Sequence, residues 1–282
     1  MKLYSLETEH LMLDGGAMFG VVPKSIWSKK YPVNDLNLCN LSMRCLLIEV
    51  DNRRILIDCG MGNTMPENLL KFYHINGDNT LLGSLQNHGF VPEDITDVVL
   101  THLHFDHCGG AVTKHADGTV SLTFTNAQYW IGKAHWETAQ KPNRRERPSF
   151  FKDNIEPLQQ SGKLNLIAEN TEIVPGVELR LYNGHTLGQI IPFIQYKSKT
   201  LVYTADFIPT SAHIPVSFVC GYDIYPLQTM DETEEFLNEA VEHKYVLFFE
   251  HDIQVECCSL VQTPKGVVMG EVFGLKQFLD EA

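Results

Sequence analysis

The segment His102-Leu103-His104-Phe105-Asp106-His107 puts four side chains able to hold a metal into six residues, directly after the apolar run Val98-Val99-Leu100 and just before Gly109-Gly110. That order describes a buried strand running out into a tight turn. Alternate side chains of a strand share a face, so His102 and His104 can point the same way and hold one ion. Asp106 and His107, beyond the strand end, can turn toward a second. Imidazole nitrogen and carboxylate oxygen together suit zinc or a similar first-row divalent metal.

Three further apolar runs end on a ligand-capable residue. The run to Leu181 precedes His185, the run to Ala205 precedes Asp206, and the run to Phe249 precedes His251. Strands lying side by side would bring all four endings to one rim. Asp58, closing the run Arg54 to Ile57 before Cys59-Gly60, reads either as an acceptor orienting a ligand imidazole or as a turn aspartate.

With 282 residues the chain can bury a substantial core. Its net charge of −13 argues against nucleic acid as a partner, because binding a phosphate backbone normally needs a basic stripe, and only Arg144, Arg145 and Arg147 form a local basic patch. No stretch approaches a membrane span, and Met1 to Leu13 does not read as a signal peptide. The seven cysteines are scattered apart from Cys257-Cys258 and form no C-x-x-C pair, which fits reduced thiols in a cytoplasm. Cys108, beside the ligand cluster, reads as a small buried filler.

Along the chain, residues 1 to 13 look like an edge strand. Residues 17 to 41 carry Phe19, Pro23, Trp27, Tyr31 and Pro32 without a helical period, and read as a flap over the site or a dimer arm. The runs 43 to 50 and 54 to 58 form a hairpin through Asp51-Asn52. Leu81, Leu82 and Leu85 predict a helix stopped by Gly89. Residues 115 to 170 are the least regular part, with a short helix from Ile131 to Gln140, and read as a pocket-shaping insertion in which His135 is a packing residue. A hairpin pairs 190 to 196 with 200 to 205. An amphipathic helix over 231 to 243 has Thr229 and Glu232 as its capping box, and 245 to 249 is a buried strand. No linker or repeat appears, so the expectation is one domain over 1 to 282.

The set Thr101-His102-Leu103-His104-Phe105-Asp106-His107, Gly184-His185-Thr186, Asp206 and His251 resembles the metallo-β-lactamase superfamily. The resemblance implies a four-layer αββα sandwich of the α/β class with a dinuclear site at one sheet edge. It also implies a ligand set: His102, His104 and His185 on one ion, Asp106, His107 and His251 on the other, and Asp206 bridging. Two divalent ions, zinc first and manganese, iron or cobalt as alternatives, are the implied cofactors. Asp14 to Lys24, Trp27, Tyr31 to Asn34 and Asp206 to His213 look like the group containing YtnP-type quorum-quenching N-acyl-homoserine lactonases and, more distantly, methyl parathion hydrolase. Better-known lactonases carry a tyrosine three residues after the bridging aspartate; Pro209 stands there in this chain.

The expected activity is hydrolysis of a small-molecule lactone or ester by a metal-bridging hydroxide. Asp106 and Asp206 would be catalytic, His213 a pocket donor, and Phe19, Trp27, Phe150, Phe151 and Tyr222 apolar walls. A phosphotriesterase or phosphodiesterase, a glyoxalase II-like thioesterase and a metal-stabilised binding protein without turnover are the alternatives. A homodimer is the expected assembly.

Overall fold

A computed structural model describes residues 1–282. The chain divides into two compact units. The first comprises Met1–His10, Met43–Glu169 and Gly188–Ile190; the second comprises Leu11–Ser42, Asn170–Leu187 and Ile191–Ala282.

The first unit is built on a six-stranded sheet in the spatial order Lys2–Leu6, Cys45–Val50, Arg53–Ile57, Asp97–Val99, Gln128–Gly132, Leu164–Ile167. Cys45–Val50 and Arg53–Ile57 form the expected hairpin, turning on Asp51 at a φ of 51°. From Arg53–Ile57 onward the pairs are parallel, with Ile57 opposite Val99 and Val99 opposite Trp130. The two central strands, Arg53–Ile57 and Asp97–Val99, end in apolar runs buried on both faces: Ile55, Leu56, Ile57, Val98 and Val99 are all fully inside. The helix Leu81–Asn87, capped by the Thr80 hydroxyl on the Gly83 N–H, adds Leu81 and Leu85 to the core cluster that contains Leu47, Leu56 and Val98. Parallel register has a direct consequence for function. The carboxyl ends of three neighbouring strands leave the sheet at the same edge, which is where Asp58, the 101–107 segment and the helix Lys133–Gln140 begin.

The second unit carries a seven-stranded sheet, Thr171–Val174, Val177–Tyr182, Gln189–Tyr196, Lys199–Tyr203, Val246–Phe248, Cys257–Thr263 and Gly266–Phe273, in both chain and spatial order. Lys199–Tyr203 and Val246–Phe248 are parallel, so Asp206 and His251 follow strand ends at one edge. Gln189–Tyr196 runs antiparallel to Lys199–Tyr203, which puts its start, just after His185, at that same edge. The 17-residue helix Pro226–Glu242 covers this sheet with Phe236, whose ring meets Phe193 and Phe207 edge-on.

Several expectations need correction. Residues 1 to 13 form two strands: Lys2–Leu6 lies at the sheet edge, while His10–Asp14 pairs with Leu38–Ser42 in a separate two-stranded sheet. The 17–41 segment contains the short helices Gly15–Phe19 and Lys24–Trp27, and Phe19 and Trp27 are core residues with rings stacked at 4.8 Å, not cavity walls. Residues 115 to 170 supply two strands of the first sheet and the helix Lys152–Gln160, which tolerates Pro157 in its interior. The long helix begins at Pro226 in its first turn. Thr229 is therefore an interior residue bonded back to the Tyr225 carbonyl, not a cap.

The turn after Arg53–Ile57 packs directly on the turn after the ligand cluster. The Cys59 N–H donates to the His107 carbonyl at 2.7 Å and the Gly110 N–H to the Gly60 carbonyl at 3.1 Å. This approach has no room for a β-carbon: one added at Gly109 would lie 1.9 Å from the Met61 carbonyl oxygen. No helix is long and apolar enough to cross a membrane. Gly109→Ala must separate the two turns, and we expect a loss of about 1–3 kcal/mol, read as a lower urea midpoint at constant slope. An unchanged midpoint would show that the contact is dispensable.

Candidate metal centre

In the first unit the strand Asp97–Val99 gives way to an irregular stretch over residues 100–104, in which His104 has an extended backbone with φ −65° and ψ 150°. His104 then starts a single helical turn, Phe105–Cys108, whose His107 and Cys108 N–H groups return to the His104 carbonyl. His102, His104, Asp106 and His107 are all buried. His102 Nε2 and His104 Nδ1 lie 3.0 Å apart. Two nitrogens bound to one tetrahedral zinc at 2.0–2.1 Å are separated by roughly 3.3 Å, so the pair fits a shared ion. His107 Nε2 and Asp106 Oδ2, at 3.8 Å, form a second pair.

The rings are held from behind. The fully buried Asp58, at a φ of 56°, accepts from His107 Nδ1 at 3.0 Å and from the Thr101 N–H and hydroxyl at 2.8 and 2.7 Å. His102 Nδ1 lies 3.1 Å from the same hydroxyl. One carboxylate thereby orients two imidazoles, which answers the Asp58 question in favour of an orienting acceptor. His135 is buried and its Nε2 accepts the Leu103 N–H at 2.7 Å, which pins the backbone between the two histidines.

The second unit holds another set. His185 Nε2 is 3.2 Å from Asp206 Oδ2, and His251 Nε2 is 2.8 Å from Asp206 Oδ1. One carboxylate thus places a separate oxygen against each of two imidazoles. His185 Nδ1 is bonded to the buried Asp223 at 2.9 Å, and His251 Nδ1 to the Ser42 carbonyl at 2.7 Å. Tyr31 of the 17–41 segment donates its hydroxyl to the His251 carbonyl at 3.2 Å. The 183–185 loop is fastened by Glu232, whose carboxylate accepts the N–H groups of Asn183 and Gly184 at 3.0 Å. Ala205, at a φ of 42°, gives the backbone the turn that presents Asp206.

His213, expected as a pocket donor, has both ring nitrogens engaged. Nδ1 is 2.7 Å from the Thr210 hydroxyl and Nε2 is 2.8 Å from the Met18 carbonyl, and the ring stacks on Phe19 at 4.6 Å. It anchors the Gly15–Phe19 helix and has no nitrogen left for a substrate. Cys108 is indeed a buried filler: burial pushes its thiol up to about 12 and its Sγ rests on the Leu103 carbonyl. The roles of Asp223, Glu232 and His135 are not visible in the sequence, because each acts across a long stretch of chain; the local spacing of Glu232 with Thr229 points instead to a capping box.

The donor chemistry of both sets fits divalent metals, and comparisons with known proteins agree. The family model described as the metallo-beta-lactamase superfamily matches residues 44–251. An N-acyl homoserine lactonase of Bacillus cereus is 29% identical over 90% of this chain and 94% of its own. The crystal structure of a probable metal-dependent hydrolase from Staphylococcus aureus superimposes with a TM-score of 0.87 at 30% identity, covering 96% of this chain and 98% of that one. AidC, a dizinc quorum-quenching lactonase, shares the fold with a TM-score of 0.76 at 22% identity over 96% and 94% of the two chains.

Burial lowers the His213 pKa below its ordinary value of 6.5. A folded-state pKa lowered in this way means that the unfolded chain binds the proton more readily. The stability contributed is complete above about 6.5 and is lost as the pH falls toward the folded value. His213→Gln should therefore flatten the decline in thermal midpoint between pH 7 and pH 5 relative to the parent; parallel profiles would contradict this.

Proposed function

Because the chain belongs to the metallo-beta-lactamase superfamily and is a metal-dependent hydrolase, we propose that it is a dinuclear enzyme opening a lactone or ester of the N-acyl-homoserine lactone type. The observation that carries the dinuclear reading is the Asp206 carboxylate, with one oxygen toward His185 and the other toward His251. The ligand set follows: His102, His104 and His185 for one ion, Asp106, His107 and His251 for the other, and Asp206 shared. Support for joining the two sets comes from the family match, which spans all seven residues.

Such a pair of ions, zinc being our choice for this donor set, would supply a water acidified toward a pKa of about 7 and Lewis-acid polarisation of the substrate carbonyl. The chain's own residues do the rest. Asp58, Asp223 and the Ser42 carbonyl fix which nitrogen His107, His185 and His251 present. Asp206, with 16% of its side chain exposed, is the carboxylate placed to orient the nucleophile and pass its proton to the departing alkoxide. Asp106 would supply the carboxylate ligand of the second ion beside His107. No serine or cysteine nucleophile is required.

The lactone preference rests on the 29% identical lactonase relative. The buried Pro209 occupies the place of the tyrosine of better-known lactonases, so carbonyl polarisation by a phenol there is absent from this proposal. We further propose that the two units work as one domain, that the 17–41 segment serves as the arm of a homodimer, and that residues 115 to 170 shape the pocket. The seven free cysteines support a reducing compartment such as the cytoplasm, and the charge of −13 supports a small-molecule substrate over nucleic acid.

The test is a substrate panel on zinc-reconstituted protein: acyl-homoserine lactones of several chain lengths, an aryl phosphotriester and S-lactoylglutathione. We expect lactones to give the highest kcat/KM, two zinc ions per chain by elemental analysis, and complete loss of turnover on chelation with recovery on adding zinc. Faster turnover of either competitor overturns the substrate assignment. Asp206→Asn should lower kcat by about 10²–10⁴-fold with a loss of bound metal; wild-type turnover with two ions retained contradicts the shared-ligand role.

A further inference from the structure

The loop from Lys141 to Pro148 contains four cations, Lys141, Arg144, Arg145 and Arg147, and a single acid, Glu146. The acid is the residue turned inward: only 3% of its side chain is exposed. Asn143 builds the turn that puts it there. Asn143 Oδ1 accepts the N–H groups of Arg145 and Glu146 at 2.8 and 2.9 Å, and its Nδ2 donates to Glu146 Oε2 at 2.6 Å. The Ser149 N–H closes on the Glu146 carbonyl at 2.8 Å. With Oε2 held by the amide, Oε1 faces His104 Nε2 at 3.9 Å.

His104 is the exception among the ligand histidines. His107, His185 and His251 each turn Nδ1 to a supporting oxygen and leave Nε2 forward. His104 turns Nδ1 toward His102 Nε2, which leaves Nε2 behind it, on the side of Glu146. Phe150 packs against the same ring at 5.3 Å and against His135 at 5.7 Å, and so helps keep solvent from this flank. A buried carboxylate needs a charged or donating partner to offset lost hydration. An imidazole that binds metal through Nδ1 carries its proton on Nε2, and a carboxylate there raises the basicity of the ligating nitrogen.

We propose that Glu146 is a positioning residue for the metal centre: it holds His104 as the Nε2–H tautomer and so aims Nδ1 at the ion shared with His102. The proposal rests on His104 being a ligand. The loop thereby does more than border a pocket, because it carries the outer support of one histidine.

The test measures zinc affinity by competition with a chromogenic chelator, alongside the thermal midpoint of the metal-free protein, for Glu146→Ala, Glu146→Gln and His104→Ala. Removing such an outer partner weakens metal binding by about 10–100-fold. We expect that loss in Glu146→Ala. Glu146→Gln, which keeps an acceptor oxygen and the shape, should recover part of it, and the metal-free midpoint of this isosteric variant should stay at the parent value. Wild-type zinc affinity in Glu146→Ala overturns the proposal and leaves Glu146 as a loop-packing residue. If His104→Ala itself binds two zinc ions with parent affinity, the ligand assignment fails instead, so the two failures are distinguishable.

Discussion

A neutral imidazole can offer either of two nitrogens, and a metal site is defined only when the wrong one is occupied. In this protein that choice is made by groups behind the rings: Asp58 for His107, Asp223 for His185, the Ser42 carbonyl for His251, and Thr101 relaying Asp58 to His102. These acceptors are buried parts of the scaffold, so ring orientation is set by the fold before any ion arrives. The cost is a set of carboxylates removed from water, offset because each is bonded to an imidazole, hydroxyl or backbone donor.

Sheet register then brings these supports to the edges where the proposed ligands lie. Parallel pairing in the first sheet aligns the strand ends at Ile57 and Val99, and parallel pairing of Lys199–Tyr203 with Val246–Phe248 does the same in the second. The turns at these ends are tight. Asp58 and Ala205 are held at positive φ, and Gly109 and Gly110 touch backbone where a side chain cannot fit. Conformational strain is thus gathered, in each sheet, at the strand ends that carry the clustered histidines and aspartates, where close packing over-determines it.

The proposed ligands are legible because their signal is local: a dense cluster in one case, an apolar run ending on a single polar residue in the others. The hairpin at Asp51 and the helix stopped by Gly89 were legible for the same reason. The irregular look of residues 115 to 170 misled because the strands Gln128–Gly132 and Leu164–Ile167 are short and mixed in polarity; their place in the sheet comes from neighbours, not from period. Thr229 and Glu232 matched a capping box by spacing, yet Pro226 starts the helix a turn earlier and Glu232 serves the 183–184 loop instead. His213 looked like a donor because a histidine seven residues after Asp206 carries no sign of what its nitrogens will meet.

Glu232 ties the backbone before His185 to a 17-residue helix, and Gly184 sits so close to Thr229 that an added β-carbon would come within 2.4 Å of its hydroxyl oxygen. That loop and helix therefore have to change together, and neither can drift alone. The loop from Lys141 to Pro148 turns on Asn143 and the buried Glu146, with the Arg145 N–H drawn into the same turn, while Arg144, Arg145 and Arg147 are exposed residues. Inherited variation therefore has unequal room in these two segments, and the wider room lies in the arginine-bearing loop.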